Sequence, residues 1–399
     1  MKIAFLTHSI FSDGGVQRVV TTIANNLCKN YSVDIICTNT KIKEDRSKYG
    51  LSNEINVVFN NINKCSYSKE IILRAFRLLN RKTGIFNNKY LFKFLTRIYY
   101  PKYQRKNIIN LIDDKGYDLV IGCEGYYALL MGAIKKDTFA RVFSWQHNSY
   151  EVYLESKNKY YWNEDILFSK LLKNVEQNIV LTKHDKRLFE EKLGVKSTTI
   201  YNPLSFKCEK KSTQNNKVIL CAGRIEYRKG MDLLLKAFAK IENKYEWKIN
   251  IIGNGEMEKE LKELALKLHI NDLINFIPFN NNIKEYMINS SIYAMSSRGE
   301  GFGLVVTEAL EAGLPVVSFK TTGPSEIIET QKCGELVECF DIDKYSNALQ
   351  NLMEDNNKRR KYSENAVIRA REFEVDKIIK EWEKIINFNE VKENEEVYK

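Results

Sequence analysis

The chain lacks any run of about eighteen apolar residues, the length a membrane-crossing helix needs. Its opening apolar run, Ile3-Ala4-Phe5-Leu6, is too short for a secretory signal. Both absences lead to an expected cytoplasmic location, with any membrane contact peripheral and on the cytoplasmic face. Histidine is scarce, with four in the chain and none paired at metal-ligand spacing. Cysteine is present at eight positions but never as C-x-x-C, which excludes zinc ribbons and dithiol redox centres. Several of these cysteines fall in apolar runs and read as reduced core thiols. G-x-G-x-x-G is also missing, so a dinucleotide fingerprint is not supported. Acid is nearly absent from one stretch. Residues 64–106 hold twelve Lys or Arg and a single carboxylate, Glu70.

A length of 399 residues is too great for one ordinary core, so two domains are expected. Formal net charge is +11, which favours anionic partners: nucleotide sugars, nucleic acid or an acidic membrane surface. Strand-length apolar runs alternate with helical patterns throughout. In the first half they lie at residues 3–7, 33–37, 118–123, 141–145 and 178–182. The first is followed by a loop and a helix carrying Val16, Val19, Val20, Ile23, Ala24 and Leu27 on one face. Residues 1–203 form the expected first domain, and the polar, lysine-rich stretch 204–217 reads as a linker. A second domain, 218–372, restarts the pattern with strands at 218–223, 248–253, 274–278, 292–297 and 316–319. Residues 373–388 make a strongly amphipathic final helix, and the polar tail 387–399 is expected to fray. Strands alternating with helices imply doubly wound parallel sheets, in which ligands bind beyond the carboxyl ends of the strands.

The most informative stretch is 296–317, SSRGEGFGLVVTEALEAGLPVV. A strand leads into a small-residue loop, Arg298-Gly299-Glu300-Gly301-Phe302-Gly303, and then a short helix starting near Leu304. Glycines let a backbone approach a ligand and leave its N–H groups free for phosphate. Glu300 on the loop and Glu308 in the helix would repel that phosphate, but a carboxylate suits a polyol because it can accept two hydroxyl hydrogen bonds. The plainer reading makes Glu300 a helix-dipole partner and Glu308 a solvated helix residue. Arg224 and Lys229 lie in the turn after the strand at 218–223, where anions bind. Arg can take phosphate through two hydrogen bonds and Lys as a point charge. His147, just past the strand at 141–145, and Gly14-Gly15, at the turn before the first helix, occupy equivalent strand-end positions.

Two glutamates separated by seven residues, with Gly-Phe-Gly after the first, resemble the signature of retaining glycosyltransferases of family 4. That resemblance implies the GT-B fold, two Rossmann-like domains about a central cleft, and transfer of a sugar from a nucleotide diphosphate sugar with retention. It also implies roles. Gly223-Arg224 and Lys229-Gly230 match the pair of donor-phosphate positions. Glu300 matches the position that holds the donor sugar's hydroxyls, and Glu308 the position that holds the ribose. Gly301, Phe302, Gly303 and Leu304 would offer backbone N–H groups to the sugar and diphosphate. Gly253-Asn254-Gly255 resembles the nucleotide-side turn, and Pro278-Phe279 the base-binding edge. Gly14 and Gly15 would approach the diphosphate, and His147 the donor sugar. No Asp-x-Asp stands where a metal would bridge the diphosphate, so no metal or other cofactor is expected. The likeness is strong in the second domain and weak between about residues 40 and 140, where acceptor recognition is expected.

Within that weak region, Ile71, Ile72, Ala75, Phe76 and Leu79 share one helical face, and Leu91, Phe94, Leu95 and Ile98 another. Lys89, Lys93 and Arg97 form a basic stripe. Such a segment suits an anionic membrane surface, and equally a solvated basic face over an ordinary core helix. Nucleic acid is not expected, since no recognisable motif for it occurs. The expected partners are a nucleotide sugar, with UDP favoured, and a lipid-linked saccharide acceptor. The rival readings are a nucleotide-sugar epimerase of the same fold and a non-catalytic nucleotide-sugar-binding protein.

Overall fold

The computed structural model describes residues 1–62, 67–244, 246–280 and 282–388. The start of the basic segment, Lys64 and Cys65 included, and the tail from residue 389 lie outside the described residues. The chain divides into two compact units. One is Met1–Pro203 together with the chain from Val375 onward, and the other is Leu204–Glu374.

The first unit is built on a seven-stranded sheet: β1 (Lys2–Thr7), β2 (Ser32–Cys37), β3 (Asn56–Phe59), β4 (Leu119–Cys123), β5 (Arg141–Trp145), β6 (Gln177–Val180) and β7 (Thr198–Thr199), in the order β3-β2-β1-β4-β5-β6-β7. Every pairing is parallel. Parallel sheets are covered by helices on both faces, so their central strands carry apolar side chains continuously. β4 is buried along its whole length, and β1 at all but Lys2. The chain runs outward from β1 to β3 and then restarts at β4 on the other side of β1, in register Ile3 with Leu119 and Phe5 with Ile121. Such a reversal opens a crevice at the carboxyl ends of the two strands.

The second unit repeats the plan with six parallel strands: β8 (Val218–Ala222), β9 (Lys248–Ile252), β10 (Ile274–Ile277), β11 (Ile292–Met295), β12 (Val316–Phe319) and β13 (Gly334–Val337), in the order β10-β9-β8-β11-β12-β13. Its reversal lies between β8 and β11. The stretch before β8 is hydrogen-bonded to this unit. Cys208 N–H donates to Glu311 Oε1 (2.7 Å), Ser212 N–H to Ala312 O (2.8 Å) and Gln214 Nε2 to Gly313 O (2.8 Å). Each unit has its own apolar cluster, around Leu6, Val120 and Phe168 in the first and Ile219, Phe238 and Val317 in the second.

The helix Val375–Ile386 belongs to the first unit and buries Ile378, Ile379, Trp382 and Ile386. The Trp382 ring lies 4.7 Å from that of Trp145 on β5 and 6.4 Å from that of Phe5 on β1. The Arg141 guanidinium donates to Ile386 O, and Asn30 to Glu383 at 2.7 Å. Polar bonds at its rim and indole packing at its centre fix where this helix lies.

In the basic segment the inward face differs from the one the apolar periodicity suggested. The helix Tyr67–Thr83 turns Leu73, Phe76, Arg77 and Asn80 toward the protein, while Ile71, Ile72, Ala75, Leu78 and Leu79 are exposed. Hydrogen bonds decide this orientation. Asn80 is fully buried, donates to Asn163 O (2.8 Å) and accepts from Phe86 N–H (3.2 Å), and Arg77 donates to Ile98 O (3.0 Å). Phe76, Phe86 and Phe94 form an edge-on triad with centroids 5.1 to 6.0 Å apart. Leu95 and Ile98 are buried, whereas Leu91 and Phe94 are exposed.

Candidate functional site

β8 ends at Ala222, and after Gly223 the chain passes through one 3-10 turn, Tyr227–Lys229, into the helix Met231–Ala239. β11 ends at Met295, and the loop 296–303 follows it to the helix Leu304–Glu311. These two strand ends flank the reversal in the second sheet, and the loops after them are knitted together. Arg298 N–H donates to Arg228 O at 2.8 Å. The Arg298 guanidinium forks onto both oxygens of Asp232 (2.8 Å each), donates to Tyr227 O (2.6 Å) and stacks 3.9 Å over the Tyr227 ring. Burial alone would raise the Asp232 carboxyl, but Arg298 beside it outweighs that and holds it below the ordinary carboxylate range. The sequence reading gave Arg298 no role and did not single out Asp232. An Arg on the loop after β11 and an Asp in the first turn of the helix that follows β8 were the available signal.

Lys229 Nζ donates to Glu300 Oε2 at 2.6 Å, and both side chains are largely shielded from water. The two residues expected to serve different parts of one ligand are therefore each other's partners here. Arg224 is different, with its side chain 61% exposed and, among the described residues, only a long 3.7 Å contact to Glu226. It is free to reach outward. Glu308 is 1% exposed, which overturns the plainer reading of a solvated helix residue.

Glycine has a distinct physical reason at two points. Gly253 has φ 151°, and a Cβ on it would lie 1.9 Å from Gly223 O, so the turn after β9 presses backbone to backbone on the turn after β8. Gly255 is packed in the same way against Ile225. Close packing alone accounts for this pair. Gly303 has φ 87°, which lets the chain swing from the loop into the helix at Leu304. Gly301 precedes Phe302, which is buried edge-on against Phe373 at 5.8 Å and anchors the loop below. Phe279, at the end of β10, is 60% exposed, an apolar ring facing water beyond a strand's carboxyl end.

In the first unit, Gly14 caps the helix Gly15–Leu27 in extended backbone, and its N–H donates to the Tyr49 hydroxyl at 3.1 Å. His147 follows β5, buried against Trp145 with ring centroids 4.3 Å apart. Its backbone N–H donates to Tyr153 Oη (3.2 Å), its Nε2 has no hydrogen-bond partner among the described residues, and burial pushes its pKa down to about 3. The imidazole is thus neutral at physiological pH, suited to hydrogen bonding and not to carrying charge.

Residues 206–369 match the family described as glycosyl transferases group 1. An uncharacterized glycosyltransferase of Haemophilus influenzae is 28% identical, over 96% of this chain and 99% of its own length. The amylovoran biosynthesis glycosyltransferase AmsD of Erwinia amylovora is 25% identical over 97% and 99%. An alpha-1,4-N-acetyl-D-galactosaminyltransferase of Campylobacter jejuni, whose name gives its acceptor as a saccharide on PP-undecaprenol, is 25% identical over 97% and 98%. Among solved structures, sucrose-phosphate synthase from Thermosynechococcus elongatus superposes with a TM-score of 0.76 at 15% identity, over 98% of this chain and 99% of that one. HepE of Anabaena, in complex with UDP, gives 0.72 at 18% identity over 97% and 100%.

Proposed function

The chain belongs to the group 1 glycosyltransferases, retaining enzymes of the GT-B fold that use nucleotide sugar donors, and from that premise we propose that it moves a sugar from a UDP-sugar to a hydroxyl of a lipid-linked saccharide during assembly of a surface glycan. One observation carries the reading: a cation and a carboxylate, Lys229 and Glu300, meet at 2.6 Å where the second sheet reverses direction. A diphosphate calls for the first and sugar hydroxyls for the second. Donor binding splits the pair. Lys229 turns to the diphosphate, joined by the exposed Arg224, and Glu300 is released to the sugar. Glu308 takes the ribose hydroxyls, Gly301 to Leu304 supply backbone N–H groups, and Phe279 stacks on the base. The sugar–phosphate bond breaks with its electrons leaving on the phosphate. The acceptor oxygen then bonds to the same face, and its proton passes to the departing phosphate. Arg224 and Lys229 stabilise the growing charge, so no metal is required. The UDP and the lipid carrier are supported by the Anabaena structure and the Campylobacter relative.

Such an acceptor lies at a membrane, and the first unit carries a surface suited to one. Of the eighteen large apolar residues exposed among the described residues, eight fall between Ile71 and Phe94, with Tyr90 83% exposed. Basic residues surround them, including Lys89, Lys93 and Arg97. The one acid, Glu70, is engaged by Arg74 (3.2 Å) and Arg77 (3.1 Å). Exposed apolar side chains in a basic field fit the boundary of an anionic bilayer. No helix among the described residues is long and apolar enough to cross a membrane.

The test is a panel of nucleotide sugars. The true donor, at a hundred times its Kd, stabilises the protein by about 2.7 kcal/mol, seen as a rise in Tm. With a polyprenyl-diphosphate saccharide it yields product, and that activity survives excess EDTA. Restoration by Mg²⁺ or Mn²⁺ after loss in EDTA refutes the metal-free mechanism. Interconversion of the donor without acceptor points to an isomerase, and binding with neither hydrolysis nor transfer to a binding protein.

A further inference from the structure

β4 ends beside β1, at the reversal point of the first sheet, and the residue after it is Glu124. Its φ is 69°, in the left-handed region that residues with a Cβ seldom enter. The next residue pins the strained backbone in place: Gly125 lies so close to the Tyr161 ring that a Cβ there would be 2.6 Å from the hydroxyl oxygen. Glycine or asparagine would meet this turn more cheaply, so the turn itself does not call for a long carboxylate. The Glu124 side chain is half-buried, and its charge is felt by Tyr127, Tyr153 and Tyr161. It takes no hydrogen bond and forms no ion pair among the described residues. Burial pushes its pKa up to about 6. Gly125 N–H and His147 N–H both donate to Tyr153 Oη, at 3.2 Å each, which ties the ends of β4 and β5 to one hydroxyl. The neighbouring strand end presents His147 Nε2, a buried polar atom without a hydrogen-bond partner among the described residues.

A strained, shielded, unpartnered carboxylate at a sheet's reversal point has the chemistry to accept hydrogen bonds from vicinal hydroxyls, and it repels phosphate. We propose that Glu124 binds the acceptor saccharide through its hydroxyls and so fixes how that saccharide is presented for transfer. This rests on the reading of the chain as a glycosyltransferase. The donor's phosphate and ribose partners are proposed in the second unit, which leaves the first unit's carboxylate for the other substrate.

Two variants separate this role from a purely structural one. Glu124→Gln keeps the shape and removes the charge. Glu124→Gly removes the carboxylate and also relieves the strain at φ 69°, so its Tm should equal or exceed that of the wild type. Both are assayed with radiolabelled UDP-sugars and a panel of polyprenyl-diphosphate mono- and disaccharides. Loss of one charge-assisted contact should raise the acceptor KM about tenfold or more in each variant, with the donor KM shifting far less. A Glu124→Gly protein that is as stable as the wild type but poor with acceptor is the expected outcome. Wild-type acceptor kcat/KM in both variants overturns the proposal, and so does a loss confined to the donor KM. A wild-type protein that neither hydrolyses nor transfers any nucleotide sugar overturns the glycosyltransferase reading, and this inference with it.

Discussion

At the scale of single residues, the decisive feature is a pairing within one unit. Lys229 and Glu300 stand 71 positions apart and meet at 2.6 Å, both shielded from water. Removing either leaves the other charge partly buried and unpaired, which costs more than the bond itself is worth. The two substitutions should therefore not be additive. Lys229→Ala should lower kcat/KM roughly ten- to a few-hundred-fold, the worth of one charge-assisted bond. Glu300→Gln should lower kcat strongly with the fold intact. The double variant should lose less than the two single losses combined, with a coupling of about 0.5–3 kcal/mol. Arg224→Lys should also be poor, because a point charge does not replace a planar fork. Full kcat in the Lys229 and Arg224 variants, measured with saturating donor and acceptor, would mean that neither cation stabilises the departing phosphate.

At the scale of elements, the two loops after β8 and β11 act as one piece because Arg298 clips one to the other through Asp232. The helix Tyr67–Thr83 shows the converse, an element whose apolar side is exposed among the described residues because Asn80 and Arg77 hold its other side inward. If that side meets an anionic bilayer, each nearby Lys or Arg contributes roughly 1 kcal/mol. Charge reversal at Lys89, Lys93 and Arg97 should release the protein from phosphatidylserine-containing vesicles in a flotation assay, and salt should weaken wild-type binding. Equal flotation of the triple variant and the wild type would count against the membrane contact.

At the scale of the molecule, the chain closes its first unit with the last helix of the described residues, Val375–Ile386. Trp382 is fully buried against Phe5 and Trp145, more than 230 positions earlier in the sequence. Replacing a buried tryptophan by alanine typically costs about 3–5 kcal/mol. Trp382→Ala should therefore destabilise the unit built on β1 to β7. Two units need not unfold together, so denaturant unfolding should be followed by hydrogen exchange resolved along the chain. Protection should fall in β1, β4 and β5 and hold in β8 and β11. An equal fall in both sheets would mean that the two units unfold as one.

The sequence by itself determined the parallel, doubly wound class of both sheets and most of their strands. Central strands of such sheets are buried on both faces and so appear as continuous apolar runs. The strands it did not reveal, β3, β7 and β13, are all at sheet edges. There burial is partial, and β7 is only two residues long, so no such run is written. Glu300, Glu308, Arg224 and Lys229 could be named from the sequence as candidates only, because glycines and strand ends mark where a backbone can meet a ligand and the family resemblance singled out these positions. Tertiary structure alone decided the rest. It brought Lys229 to Glu300 and Arg298 to Asp232 across three crossovers, and it held Glu124 in a backbone conformation that no local pattern signals. It also turned the helix after Tyr67 apolar side outward. Periodicity tells which residues share a face, but only the hydrogen-bond partners supplied by the rest of the chain decide which face turns inward.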